Sequence, residues 1–217
     1  MKEIDWSQYI KALNNFPSLK QQWEKDFVKT LEITLKELGK IRVLEVGCSN
    51  GRWLRWFYTN HKCEIYGIDL DTSVFQRDFH FIRGDARILP FKNGTFDVVF
   101  SLGLIEHFKR NERFTLLREQ SRVLSDKGLL ICLVPNIYCS LEYFWVKFFY
   151  DYLRGYHHYV VTKRELLQTF QELGLKIIHF SFIGIFRELN LLIKFKRFIL
   201  LNLILSDSML FICKKCK

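Results

Sequence analysis

Three carboxylates and a glycine-punctuated turn fall at the ends of apolar runs in this sequence, a placement that suits recognition of a nucleoside-like ligand. The first run, Arg42-Val43-Leu44-Glu45-Val46, leads straight into Gly47-Cys48-Ser49-Asn50-Gly51. Glycines in such a turn let a ligand approach the backbone. The helix predicted by Arg52-Trp53-Leu54-Arg55-Trp56-Phe57 would present unpaired N–H groups at its start. A tight turn used for packing alone is the competing explanation. A second apolar run, Ile65-Tyr66-Gly67-Ile68, ends in Asp69-Leu70-Asp71. In doubly wound sheets an acid directly after the second strand accepts hydrogen bonds from ribose hydroxyls. Asp69 stands at that point, whereas Asp71 reads as a turn or cap residue. A third run, Phe81-Ile82-Arg83, ends in Gly84-Asp85-Ala86. Asp85 either accepts from an exocyclic amine such as that of adenine or caps a turn. The fourth, Phe96 to Leu102, runs out into Gly103-Leu104-Ile105-Glu106-His107-Phe108. Glu106 and His107 have the chemistry of an acid, a base or a metal ligand, or they fix the loop by hydrogen bonds.

These groups need a scaffold that brings four strand ends to one edge. Short β-rich runs alternate with helical spacing from Ile41 onward. Strands are expected at 41–46, 63–69, 79–83, 96–101 and 128–134, and helices at 52–59, 111–124, 140–153 and 162–173. That alternation predicts a parallel sheet with helices on both faces, whose ligand site lies at the carboxyl edge. Before it, Leu19, Trp23, Phe27, Leu31, Leu35 and Leu38 recur at helical spacing up to Gly39. A shorter helix over Ile4 to Leu13 precedes it, with Pro17 at the junction. After Gly174 the pattern changes to a long strand at Leu175 to Ile183 and a last strand at about 208–213. Between them, Ile185 to Leu205 reads as an amphipathic helix with Arg187, Asn190, Lys194 and Arg197 on one face.

The 217 residues are 49% hydrophobic, enough for one domain with a substantial core. A net charge of +10 favours an anionic partner, nucleic acid or a membrane surface, over an acidic one; a solvated basic surface is the plain alternative. The first residues lack the apolar core of a signal peptide. No uninterrupted run is long enough to span a bilayer, so the expected location is cytoplasmic. Six cysteines show no disulfide-framework spacing and suit reduced thiols. Cys213-Lys-Lys-Cys216 has no second pair to complete a zinc site.

In this order the four elements resemble the class I S-adenosylmethionine-dependent methyltransferases, in particular the type 11 group. The resemblance is close over 41–134 and loose over 155–183. Glu45-Val46-Gly47-Cys48-Ser49-Asn50-Gly51 is similar to the family's acidic-x-Gly-x-Gly-x-Gly loop, with Ser49 in place of the middle glycine. Phe96-Asp97-Val98-Val99 resembles the fourth-strand motif, and Leu124-Ser125-Asp126-Lys127-Gly128-Leu129-Leu130 the turn into strand five. The resemblance implies a Rossmann-like three-layer sandwich with a mostly parallel seven-stranded sheet and an antiparallel last strand. It implies S-adenosylmethionine as cofactor. Glu45, Gly47, Cys48, Asn50 and Gly51 would surround its methionine end, Asp69 and Leu70 the ribose side, and Asp85 and Ala86 the adenine. Ser101 and Leu102 would line the methyl-transfer cleft, and His107 would act as base or acceptor-orienting group. A dehydrogenase would need G-x-G-x-x-G for a pyrophosphate. Gly47 and Gly51 are spaced differently, and the Glu45 carboxylate would oppose a pyrophosphate while suiting an ammonium and a sulfonium.

Ile105-Glu106-His107-Phe108 is similar to the Glu-His segment of ubiquinone-pathway O-methyltransferases, some of which hold a divalent metal nearby. The earlier acid of that set falls at Gly103, so no metal is expected. Only about ten residues separate Asp71 from Phe81, which abbreviates the second crossover. Leu141 to Leu153 is apolar around most of a helix, in the region that covers the acceptor in related enzymes. The expected organisation is one domain over 1–217: N-terminal helices over 1–39, a cofactor-binding half over 41–134 and an acceptor-side half over 135–217. The expected function is methyl transfer to a small apolar, aromatic or lipid-like acceptor, with peripheral membrane contact as one reading of the oily second half. RNA methylation and a non-catalytic membrane-peripheral protein of the same fold are the alternatives. Nucleic acid is not favoured as a partner, and no oligomeric state is assigned.

Overall fold

A computed structural model describes residues 21–35, 41–61, 63–71, 79–136, 159–185 and 206–216. The helices expected over Ile4 to Leu13, 140–153 and Ile185 to Leu205 lie outside the described residues, as do Pro17, Gly39 and the shortened crossover. Seven strands follow in chain order: β1 (Arg42–Val46), β2 (Glu64–Asp69), β3 (His80–Arg83), β4 (Phe96–Leu102), β5 (Leu124–Pro135), β6 (Leu175–Ile185) and β7 (Ser206–Lys215). Among the described residues four α-helices accompany them: α1 (Gln21–Leu35), α2 (Arg52–His61), α3 (Arg110–Val123) and α4 (Lys163–Glu172). They build one sheet in the order β3-β2-β1-β4-β5-β7-β6. The pairs from β3 through β5 are parallel, and β7 runs antiparallel to both neighbours. The fold is the seven-stranded α/β sandwich expected from the sequence.

Period-two alternation sorts the sheet's side chains between two cores. On one face Leu130, Cys132 and Val134 of β5 and Met209, Phe211 and Cys213 of β7 pack with Leu116 and Leu117 of α3 and Phe170 of α4. On the other, Leu129, Ile131 and Leu133 with Leu210 and Ile212 pack against Phe27 and Leu31 of α1 and Leu54 and Phe57 of α2. Each fully buried Leu, Ile or Phe contributes about 1.5–3 kcal/mol relative to exposure. Both surfaces of the central strands are therefore apolar, which is why those strands read as continuous hydrophobic runs.

Strand five differs from expectation. The sequence placed a helix to residue 124 and the strand from 128. The structure ends α3 at Val123 and begins β5 at Leu124, with a register shift opposite Phe96–Val98. Ser125-Asp126-Lys127-Gly128 has turn composition. Long-range contacts override it: Ser125 Oγ donates to Asp97 Oδ1 at 3.4 Å, and Lys215 Nζ donates to the Leu124 carbonyl.

Candidate cofactor and methyl-transfer site

The parallel register brings the ends of β1, β2, β3 and β4 to a single carboxyl edge. After β1 the chain turns sharply. The Gly47 and Cys48 amides both donate to the Ile68 carbonyl, at 2.8 and 3.2 Å, and Gly51 N donates to Cys48 O at 2.8 Å. Gly47, Ser49 and Gly51 all have positive φ, at 75°, 46° and 70°. Ser49 thus adopts the left-handed conformation at the position where its resemblance to the family departs from glycine. That conformation costs an L-residue roughly 1–2 kcal/mol. The Ser49 N–H donates to Asp69 Oδ2 at 2.8 Å, a charge-assisted bond that offsets the cost. A Cβ at Gly47 would lie 2.8 Å from Leu104 Cδ1, so the missing side chain is what lets the turn after β4 close over the loop. Asn50 Oδ1 accepts from Arg52 N at 3.1 Å, and Gly51 O accepts the first bond of α2 from Arg55 N. Asn50 therefore caps α2 with its side chain.

Two carboxylates face this loop. Asp69 is half-buried and accepts backbone N–H groups on both oxygens, from Ser49 and from Asp71 at 3.0 Å. Burial nevertheless raises its pKa above the usual range. Glu45 is only 4% exposed, and its Oε2 has no hydrogen-bond partner among the described residues. Burial first and the Asp69 charge second push the Glu45 carboxyl well above its ordinary range, against the Leu54 backbone bond and the Arg55 charge. The same surroundings raise the buried Cys48 thiol and keep it neutral.

A raised carboxyl pKa means the folded chain holds its proton to higher pH than the unfolded chain. The stability associated with neutral Glu45 and Asp69 is fully present below the unfolded carboxylate range and is lost as pH rises through the folded values. Ligand-free Glu45→Gln is expected to melt higher than wild type at neutral pH and to lose part of that pH dependence. Thermal melts from pH 5 to 8 check this, and parallel curves for the two proteins would remove Glu45 as the titrating group.

The structure distributes the remaining sequence-predicted residues unevenly. Leu70, directly after Asp69, is 51% exposed. Gly84 N donates to the Asp69 carbonyl at 3.0 Å, which brings Asp85 and buried Ala86 next to the same edge. Asp85 caps its own turn through Arg87 N at 2.8 Å and pairs with the Arg87 guanidinium, so the capping role left open by the sequence is present. Ser101 is fully buried, and its hydroxyl donates to Gln120 Oε1 at 3.4 Å. The alternation of β4 turns its side chain toward α3. Leu102 packs partly on the α1–α2 face. His107 lies half-buried in a 3₁₀ turn, Ile105–His107, with its N–H on the Leu104 carbonyl at 3.1 Å.

Sequence reasoning missed Arg113. This arginine is buried on α3 and donates to the Phe108 carbonyl at 2.7 Å, the Val160 carbonyl at 3.0 Å and Glu165 Oε1 at 2.7 Å. Tyr159 N donates to the Glu106 carbonyl at 2.7 Å beside it. The turn carrying Leu104 and His107 is thus fastened to the chain entering α4. The signal was available: Arg113, Leu116, Leu117 and Gln120 share one helical stripe, and two of the four are polar.

The donor set suits a cationic, nucleoside-bearing cofactor. An orphaned buried Glu45 oxygen beside a second acid leaves the site with acidic groups that a cation would draw into their ionised form. A sequence profile for the methyltransferase domain matches residues 44–132, the span from β1 through β5 that builds this edge. Over that span the chain is similar to the type 11 class I methyltransferases. The chain is 31% identical over 137 residues to a demethylmenaquinone methyltransferase of Staphylococcus saprophyticus, covering 56% of this chain and 55% of that protein. It is 36% identical over 104 residues to phthiotriol/phenolphthiotriol dimycocerosates methyltransferase 1 of Mycobacterium ulcerans, covering 44% and 38%. The chain therefore spans about half the length or less of these relatives. In fold it matches a SAM dependent methyltransferase from Archaeoglobus fulgidus with a TM-score of 0.67 at 19% identity, over 88% of this chain and 94% of that one.

Proposed function

We propose that this protein transfers a methyl group from S-adenosylmethionine to a small apolar or lipid-like acceptor. The observation that carries the donor half is the pairing of Glu45 and Asp69 at the edge of the Gly47–Gly51 loop, with Glu45 Oε2 buried and unpartnered. A carboxylate placed this way is costly until a cation arrives. The bound cofactor supplies an activated methyl on a sulfonium, together with an ammonium group for the acidic end of the site. Glu45 would balance that charge. Asp69 would accept from the ribose hydroxyls while the Ser49 and Asp71 amides keep it oriented. Leu70 would cover one face of the adenosine, and Asp85 with Ala86 would meet the adenine edge. Leu104, held over Gly47, would exclude water from the reacting end. His107 in the adjoining turn would orient the acceptor or take its proton if the attacking atom carries one. Alignment of donor and acceptor contributes much of the rate in such a transfer.

The acceptor half rests on the two relatives, named as methyltransferases of demethylmenaquinone and of phthiotriol/phenolphthiotriol dimycocerosates. Among the described residues no helix is long and apolar enough to cross a membrane. Isothermal calorimetry with S-adenosylmethionine and S-adenosylhomocysteine is expected to show one site per chain. Absence of heat at millimolar ligand would sink the donor reading. Radiolabelled methyl transfer into fractionated cell extract is expected to label the lipid or small-metabolite fraction. Label confined to RNA would replace the acceptor class while leaving the donor in place.

A further inference from the structure

Asp85 is more tightly held than a turn cap requires. Its Oδ1 accepts the Arg87 amide at 2.8 Å and Arg87 Nε at 3.0 Å, and its Oδ2 accepts Arg87 Nη2 at 2.7 Å with a longer share of Nε at 3.1 Å. The guanidinium is in turn fixed from two other sides. Arg87 Nη1 donates to Glu112 Oε1 at 2.6 Å, and its carbon lies 5.8 Å from the centre of the Phe108 ring. Glu112 is itself anchored, because its Oε2 accepts from Lys109 N at 3.1 Å in the capping box that opens α3. A rigid chain therefore runs from the start of α3 through Glu112 and Arg87 to Asp85.

An ionised carboxylate offers about four lone-pair positions. Arg87 fills both on Oδ1 and one on Oδ2. A single acceptor position remains, on an oxygen that can neither rotate nor pick up a proton easily, since the Arg87 bonds hold the Asp85 carboxyl below the usual carboxylate range.

We propose that Arg87 is a positioning residue that aims the remaining Asp85 lone pair, so that the site reads an exocyclic amine on the purine. This inference deepens the proposed function and rests on its assignment of Asp85 to the adenine side. Arg87 does not touch the ligand. It makes Asp85 selective by leaving the carboxylate one direction in which to accept. A bidentate fork is needed for this, so lysine would supply the charge without the geometry.

Calorimetry tests the idea with two ligands: S-adenosylhomocysteine and its purine riboside analogue, which lacks only the 6-amine and keeps the ring nitrogens. Wild type is expected to prefer the amine-bearing ligand by on the order of tenfold or more, as for one hydrogen bond to a charged group. Asp85→Asn should abolish the preference. Arg87→Gln and Arg87→Lys should each bring the ratio toward unity, and Glu112→Gln should reduce it in part. Arg87 is 39% exposed, so these variants are expected to fold, and a thermal melt confirms it. A merely structural role would weaken both ligands equally and leave the ratio unchanged. If Arg87→Gln keeps the wild-type ratio while Asp85→Asn loses it, the positioning role is overturned and the Asp85 assignment stands. If wild type shows no preference, both are overturned, with cofactor binding itself intact. If neither ligand binds wild type, the proposed function falls with them.

Discussion

Replacing Asp69 with alanine is expected to lower affinity for S-adenosylhomocysteine by two orders of magnitude or more. Hydrogen bonds to a charged group contribute roughly 1.5–3 kcal/mol each. Two ribose hydroxyls on one carboxylate therefore amount to about 3–6 kcal/mol, or roughly 10²- to 10⁴-fold in affinity. The loss has a second source within the protein. Asp69 Oδ2 holds the amide of Ser49, the residue kept at a φ of 46°. Without that acceptor the left-handed turn loses its compensation, and the loop that would meet the methionine end is no longer pre-arranged. Asp69→Asn retains the shape but presents an amide that cannot accept on both sides, so most of the loss should persist. Asp71→Ala is the control at the same turn. Calorimetric affinity equal to wild type in Asp69→Ala would remove the ribose role.

The largest expected effect on stability belongs to Arg113→Ala. Its guanidinium is 4% exposed and its partner Glu165 12% exposed, at 2.7 Å. Removing one member of a buried pair leaves the other charge uncompensated, at a cost of about 3–5 kcal/mol. The Phe108 and Val160 carbonyls lose a donor at the same time. For a chain of this size each kcal/mol lowers the melting temperature by roughly 2–4 °C, so a fall on the order of 10 °C is expected. Glu165→Gln keeps the two carbonyl bonds and should cost less. A change of a degree or two in Arg113→Ala would mean that the network is wet and the fastening of the post-β4 turn weak.

The sheet was legible because its signal is local. Val43, Leu44 and Val46, or Val98, Val99 and Phe100, are buried whatever lies beyond them, and an apolar run ended by glycine or aspartate marks both the strand and its carboxyl end. The same locality exposed Glu45, Asp69 and Asp85, since each directly follows or sits within such a run. What escaped was set by distance along the chain. Asp85 meets Arg87 within one turn, but Arg87 meets Glu112 at the distant start of α3, and Arg113 meets Glu165 beyond a long intervening segment. No composition or spacing rule pairs those residues. The Ser101 side chain was illegible for a related reason. It stands at the end of β4, where cleft residues are sought, but the face it takes depends on the alternation of the whole strand against Gln120. The start of β5 failed in the opposite direction, because Ser125-Asp126-Lys127-Gly128 has turn composition and only Asp97 and Lys215 draw it into the sheet.

The insertion of β7 between β5 and β6 has a consequence for synthesis on the ribosome. Residues 206–215 are made after every other strand, yet they occupy a place inside the sheet and not at its rim. Until they emerge, β5 presents an open hydrogen-bonding edge flanked by Cys132, Leu133 and Val134, and β6 lacks the one sheet neighbour it has among the described residues. The nascent chain must therefore carry an unpaired apolar edge from the synthesis of β5 until that of β7, the state in which strands recruit foreign partners. A message truncated upstream of codon 206 would release that edge permanently.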